Sequence, residues 1–248
     1  MEATYEAKYH ALEETLWWFL GRRDLLFSLL KNAPRDSKIL EVGCAGGYFL
    51  RGLTDQGFSD VWGIDISAEA IKIARGRGLD RVAVADAAHL PLTDGSCDVV
   101  ISSDVLEHIA EDAAALAEWS RVLKPGGRLF LFVPAHPFLW SPHDVANQHL
   151  RRYTRAGIAV LVRQAGFRVE RSSYWNVLMF FPIAAVRLVM HVLPSRAMST
   201  HQLHNLPACI NVCIARVLHL ENYFIARGWH APVGVSLLLL ARKDIKSA

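Results

Sequence analysis

Lys38-Ile39-Leu40-Glu41-Val42-Gly43-Cys44-Ala45-Gly46-Gly47-Tyr48-Phe49-Leu50 is the stretch that decides the fold. An apolar run that reads as a buried strand enters a glycine-rich turn and then a helical pattern. Glycines at such a junction let the backbone pass close to a ligand, and the helix that follows offers free N–H groups and a positive dipole end. Outward from it, VWGID (61–65), RVAVA (81–85), CDVVIS (97–102) and RLFLFV (128–133) have the continuous apolar character of parallel strands. Between them the spacing predicts helices near 47–57, 68–77, 109–122 and 154–165, and Lys124-Pro125-Gly126-Gly127 predicts a helix-to-strand reversal. Strand and helix alternating in this way predict a doubly wound α/β sheet with right-handed crossovers. Ligands of such sheets bind beyond the carboxyl ends of the strands, where the winding reverses.

The regularity ends after a sixth strand at Phe167–Tyr174 and returns only at Gly234–Ala241, GVSLLLLA. We read one domain in four segments: an N-terminal helical cover (1–34), a cofactor-binding core (35–174), an apolar helical insertion (175–232), and a final strand and tail (233–248). A length of 248 residues with 52% hydrophobic content suffices for one large core. A formal charge of +3, with only isolated arginine pairs at 22/23 and 151/152, argues against a nucleic-acid partner. Cys44, Cys97, Cys209 and Cys213 lack metal-ligand spacing, and acidic residues precede the first apolar stretch, so reduced thiols and a cytoplasmic location are expected. Residues 175–194 are strongly apolar, but Asn176, Pro182, Arg187 and His191 interrupt them. That pattern suits core packing, a lid, a homodimer surface or peripheral membrane contact better than a spanning helix.

The glycine turn alone is weak evidence. A dinucleotide fingerprint, G-x-G-x-x-G, would need glycine where Ala45 and Tyr48 stand. The neighbouring strand ends add weight. Asp65 closes the second strand, where a carboxylate can accept from vicinal ribose hydroxyls, and Asp86, before Ala87, closes the third, placed to accept from an adenine amino group. Each aspartate taken singly also suits a helix N-cap.

ILEVGCAGGYFL, WGIDIS, VADAAHLPLTDGSCDVVISSDVLEHI and LKPGGRLFLFVP resemble the successive motifs of class I S-adenosylmethionine-dependent methyltransferases of the small-molecule type, closely over 37–133. The resemblance implies a seven-stranded sheet with the last strand antiparallel. It also implies S-adenosylmethionine as cofactor, with Glu41, Gly43, Cys44, Ala45 and Gly47 along the methionine portion, Asp65 and Ile66 at the ribose, Asp86 and Ala87 at the adenine, and Ser103 on the sulfonium side. Ala45 departs from the usual central glycine, so weaker cofactor affinity is the cost expected there. Trp17 to Arg23 resembles the helix that covers the cofactor, and Arg22 either pairs with the methionine carboxylate or is a surface arginine beside core tryptophans.

Methyl transfer from a sulfonium needs positioning above all, and a base only where the acceptor holds its proton. His143 is the expected base, supported by Asp144 or His149, on a loop leaving the carboxyl edge of the sheet. The same residues, followed by Arg151-Arg152-Tyr153, also describe a loop pinned by hydrogen bonds. Asp104-Val105-Leu106-Glu107-His108 is similar to the E-x-x-E-H run of cation-using quinone-type O-methyltransferases, but it also suits ordinary capping, and no metal is expected. The reading is methyl transfer to a small or lipid-like acceptor, at oxygen first. A cofactor-binding partner protein without catalysis is the alternative, and an NAD-dependent oxidoreductase ranks below both.

Overall fold

The computed structural model describes residues 12–192 and 207–245. Helix α1 (Trp17–Leu30) leads into β1 (Lys38–Val42), α2 (Tyr48–Asp55), β2 (Asp60–Asp65), α3 (Ala68–Gly76), β3 (Val82–Val84) and β4 (Cys97–Ser103). Then follow α4 (Asp112–Val122), β5 (Leu123–Pro134), α5 (Pro142–Ala146), α6 (Arg155–Gln164), β6 (Phe167–Trp175), α7 (Val177–Val192), α8 (Ala208–Ala226) and β7 (Ser236–Lys243). The seven strands stand in the order β3-β2-β1-β4-β5-β7-β6, with β7 antiparallel to both neighbours. The expected doubly wound sheet, its antiparallel last strand, the leading helix and the helical insertion between strands six and seven are all present. From β1 the chain winds one way to β2 and β3, then crosses to β4 and β5, so the winding reverses between the carboxyl ends of β1 and β4.

Apolar layers cover both faces of the sheet. One gathers Trp119, Phe167 and Tyr153 against β4, β5 and β7, and the other gathers Leu25, Phe49, Phe132 and Trp175 under α1 and α8. Cys44 and Cys97 are buried, while Cys209 and Cys213 are exposed.

At Lys124–Gly127 the structure differs from the expected reversal. Strand pairing already begins at Leu123, opposite Cys97, and resumes at Arg128, opposite Val99. Pro125 has no N–H for the ladder and Gly126 adopts φ +77°, so the intervening residues bulge out of a continuous strand instead of forming a separate turn.

The insertion folds back onto the N-terminal helix. Trp175 Nε1 donates to Asn222 Oδ1 at 2.9 Å, and Asn222 Nδ2 donates to the Gly21 carbonyl at 2.7 Å. A Cβ on Gly21 would lie 2.6 Å from Leu218 Cδ1, so a larger residue there would have to push the Leu218 side chain aside. Part of the predicted insertion, 193–206, lies outside the described residues.

Candidate active site

At the reversal point the turn after β1 is held open by its backbone. Gly43 and Gly47 adopt φ +75° and +79°, and a Cβ on Gly43 would meet Val105 Cγ2 at 2.3 Å. The N–H groups of Gly43 and Cys44 both donate to the Ile64 carbonyl at 2.8 Å, and Ala45 N–H donates to Asp65 Oδ2 at 2.9 Å. Asp65 Oδ1 accepts from Ser67 N–H at 2.9 Å, while Ser67, through its own side chain, caps α3. Asp65 is therefore the tie between the tips of β1 and β2, and the cap alternative belongs to Ser67.

Ala45 occupies the left-handed region at φ +46°. A side chain there costs about 1 kcal/mol relative to glycine. Ala45→Gly is expected to raise the unfolding free energy by up to about 1 kcal/mol and to bind S-adenosylmethionine at least as tightly, measured by urea unfolding and calorimetric titration.

Beneath α1 lies a cleft of about 470 Å³, part of it open to solvent, lined by Arg22, Glu41, Gly43, Cys44, Ala45 and Ser103 among others. Glu41 Oε2 and Ser103 Oγ are buried without a hydrogen-bond partner, and burial pushes the Glu41 carboxyl well above its ordinary range. Such groups suit a ligand that brings donors or positive charge. Arg22 is buried in this cleft and its guanidinium bonds the Asp104 carboxylate, so it is not the surface arginine that was the alternative.

Neither Ile66 nor Asp86 lines the cleft. Ile66 is 77% exposed, an apolar surface beside Asp65. Asp86 Oδ1 accepts from Ala88 N–H at 2.8 Å, which lowers its pKa, and the Ala87 carbonyl accepts from Trp119 Nε1. Ala85 N–H donates to the Asp65 carbonyl, which joins the end of β3 to the tip of β2.

Sequence reasoning missed Glu13, which accepts from Gly46 N–H at 3.2 Å, and Arg77, which bonds the Gly46 carbonyl and lies 3.7 Å over the Tyr48 ring. Together they close the cover over the glycine turn. No local pattern marks either residue. Asp104 does not line the cleft but bonds Arg22, which does, from a backbone at φ +54°.

The loop after β5 differs from expectation in its pairing. His143 does not meet Asp144; its ring faces Asn147 Nδ2, and burial lowers its pKa to about 4. Asp144, fully buried, accepts from His149 Nδ1 at 3.0 Å, Arg152 Nε at 2.7 Å and Ser141 N–H at 2.9 Å. Arg187 of α7 lies 3.7 Å away and also bonds the Leu139 carbonyl. Burial alone would raise the Asp144 pKa, but the His149 hydrogen bond and the Arg152 charge outweigh it and hold the carboxyl well below its usual range.

His149 Nε2 lies 3.9 Å from Glu107 Oε1, and Leu150 N–H donates to the Glu107 carbonyl at 2.8 Å, so this loop is docked on the turn that follows Asp104. Glu107 is fully buried, and neither carboxylate oxygen has a hydrogen-bond partner. Ligand atoms of Glu107, His108 and His149 lie within 4.8 Å of one another, a set whose chemistry could hold a cation.

Fold and cleft together define an α/β protein built to hold a nucleoside-type ligand at the reversal point of its sheet. Residues 40–131 match the family described as "Methyltransferase domain". Over 172 residues, 67% of the chain, it is 33% identical to a Mycolicibacterium smegmatis protein described as a "Probable S-adenosylmethionine-dependent methyltransferase", 65% of which is covered. It is 35% identical to the ubiquinone biosynthesis O-methyltransferase of Thiobacillus denitrificans over 99 residues, 38% of this chain and 42% of that one. The chain thus matches less than two thirds of the length of these curated relatives. Its fold is similar to the chain bound to the Trm112 methyltransferase activator in a Haloferax volcanii complex (TM-score 0.64, 21% identity, 97% of this chain and 95% of that one). Residues 40–131 thus carry a methyltransferase domain, and the chain has the fold of the class I S-adenosylmethionine-dependent methyltransferases.

Proposed function

We propose that this protein transfers a methyl group from S-adenosylmethionine to an oxygen of a small, lipid-like acceptor. One observation carries the reading. The tips of β1 and β2 are tied by Asp65 under a cleft whose buried Glu41 and Ser103 oxygens lack protein partners. The bound cofactor supplies an electrophilic methyl on a positively charged sulfur. The chain's task is to position and to exclude water. Gly43 to Gly47 and Glu41 would hold the methionine portion, Asp65 and Ile66 the ribose, Asp86 and Ala87 the adenine, and Ser103 the sulfonium side. Glu13 and Arg77 keep the cover closed over the turn.

For an acceptor that arrives protonated, His149 is the base. Asp144 holds its Nδ1 proton, which leaves Nε2 free to accept one from the acceptor. His143, rotated toward Asn147, supports the loop from the other side. Oxygen as the acceptor atom agrees with the quinone O-methyltransferase relative, and the apolar insertion above the loop favours a lipid-like acceptor.

Titration calorimetry with S-adenosylmethionine and its demethylated product tests the cofactor half. Asp65→Ala is expected to weaken binding at least ~10-fold, the effect of losing one strong hydrogen-bonding carboxylate. No heat from the unaltered protein at millimolar cofactor would end the proposal. Labelled methyl transfer to apolar phenols and polyprenyl phenols tests the acceptor half, and tight cofactor binding with no transfer to any of them would favour a non-catalytic partner protein.

A further inference from the structure

Helix α7 is inside out. Arg187, the one charged residue of Val177–Val192, is buried against Asp144 and the Leu139 carbonyl, and Phe180 packs on His136 and Phe138. Positions 178, 181, 185 and 188, one helical stripe, face solvent instead, with Phe181 at 62% and Leu188 at 68% exposure. A water-facing helix has the opposite arrangement. Exposure continues onto α8: Glu221 caps the start of α7 through the Asn176 and Val177 N–H groups, and its neighbours Leu220 and Phe224 are exposed.

Among the described residues of 177–229 the exposed charged side chains are arginines, while partly exposed Asp24 of α1 is paired with His219 of α8. Residues 175–232 contain four arginines (Arg187, Arg196, Arg216 and Arg227, of which Arg196 lies outside the described residues) and one acidic residue, Glu221, which is buried in its capping role. Arg216 and Arg227 are exposed on α8, and Trp229, just beyond its end, is exposed as well. Apolar and aromatic groups whose own exposed charges are arginines complement an anionic lipid surface. Two copies of the face would bring like charges together, which disfavours self-association through it. Among the described residues no helix is long and apolar enough to cross a membrane, so contact is with the interface alone.

We propose that the α7–α8 face docks on an anionic bilayer surface, with the stripe through Phe181 and Leu188 entering the headgroup boundary and the α8 arginines contacting lipid phosphates. Co-sedimentation of the full chain with phosphatidylcholine vesicles, with and without 30% phosphatidylserine, tests this. Binding at least ~10-fold stronger to the anionic vesicles is expected, falling as salt rises. The pair Phe181→Asp and Leu188→Asp should lose it while S-adenosylmethionine affinity is kept. A second pair, Arg216→Glu and Arg227→Glu, should lose only the preference for anionic lipid. Protein left in the supernatant with both compositions would overturn the proposal. So would binding that both variant pairs retain, or a dimer that the aspartate pair abolishes. None of these readouts requires methyl transfer, so their failure would leave the enzymatic reading standing.

Discussion

Asp144→Ala is expected to cost about 3–5 kcal/mol of folding stability, because it leaves Arg152 and Arg187 buried without their shared anion. The carboxylate also caps α5 by accepting from Ser141 N–H, and that contact disappears with it. Asp144→Asn, which keeps the shape and one acceptor, should lose less. Urea unfolding at neutral pH checks both. The same measurement across pH reads the neighbouring groups. Between pH 6.5 and about 4 the unfolded chain takes up a proton on His143 that the folded chain refuses, so stability falls as pH drops through that window, by at most about 3 kcal/mol. Asp144, with its lowered pKa, holds its contribution through this window and loses it only in stronger acid, as the pH falls toward its folded value. The acid limb should therefore show two stages, and His143→Gln should remove the first.

His149→Ala is expected to lower kcat about 10²–10⁴-fold on an acceptor that must lose a proton, with cofactor affinity unchanged. Asp144 keeps Arg152 and Ser141 in this variant, so the loop stays folded. An acceptor already ionised at the assay pH should lose much less, which separates a base from a group that only shapes the pocket. Glu107 and His108 allow one competing explanation, and chelation addresses it. If dialysis against a chelator lowers the rate as far as the substitution does, and a divalent cation restores it, His149 serves as a ligand and not as the base.

Much of the fold was legible in the sequence because buried parallel strands write themselves as short apolar runs, and glycines mark the one turn where backbone must approach a ligand. KILEV, VWGID and CDVVIS fall on β1, β2 and β4 within a residue. The cleft residues Glu41, Gly43, Cys44, Ala45 and Ser103 are local to those strand ends and could be found the same way. Glu13 and Arg77 could not, since they reach Gly46 across 33 and 31 positions. The pairing within the loop after β5 differs from the expected one for a geometric reason. His143 and Asp144 are adjacent in the chain, but in a helix neighbours point about 100° apart. The capping box at Ser141 fixes which way Asp144 turns, and that direction leads to His149, five residues on.

Asn222 joins Trp175 to the Gly21 carbonyl, the latter across 201 positions, so the seat of α1 is completed by a helix far downstream in the chain. On the ribosome, the glycine turn at 43–47 emerges long before its cover can latch. The strand that β5 needs on its far side, β7, is made later still. The nascent chain therefore keeps these parts unjoined until α8 and β7 have left the exit tunnel.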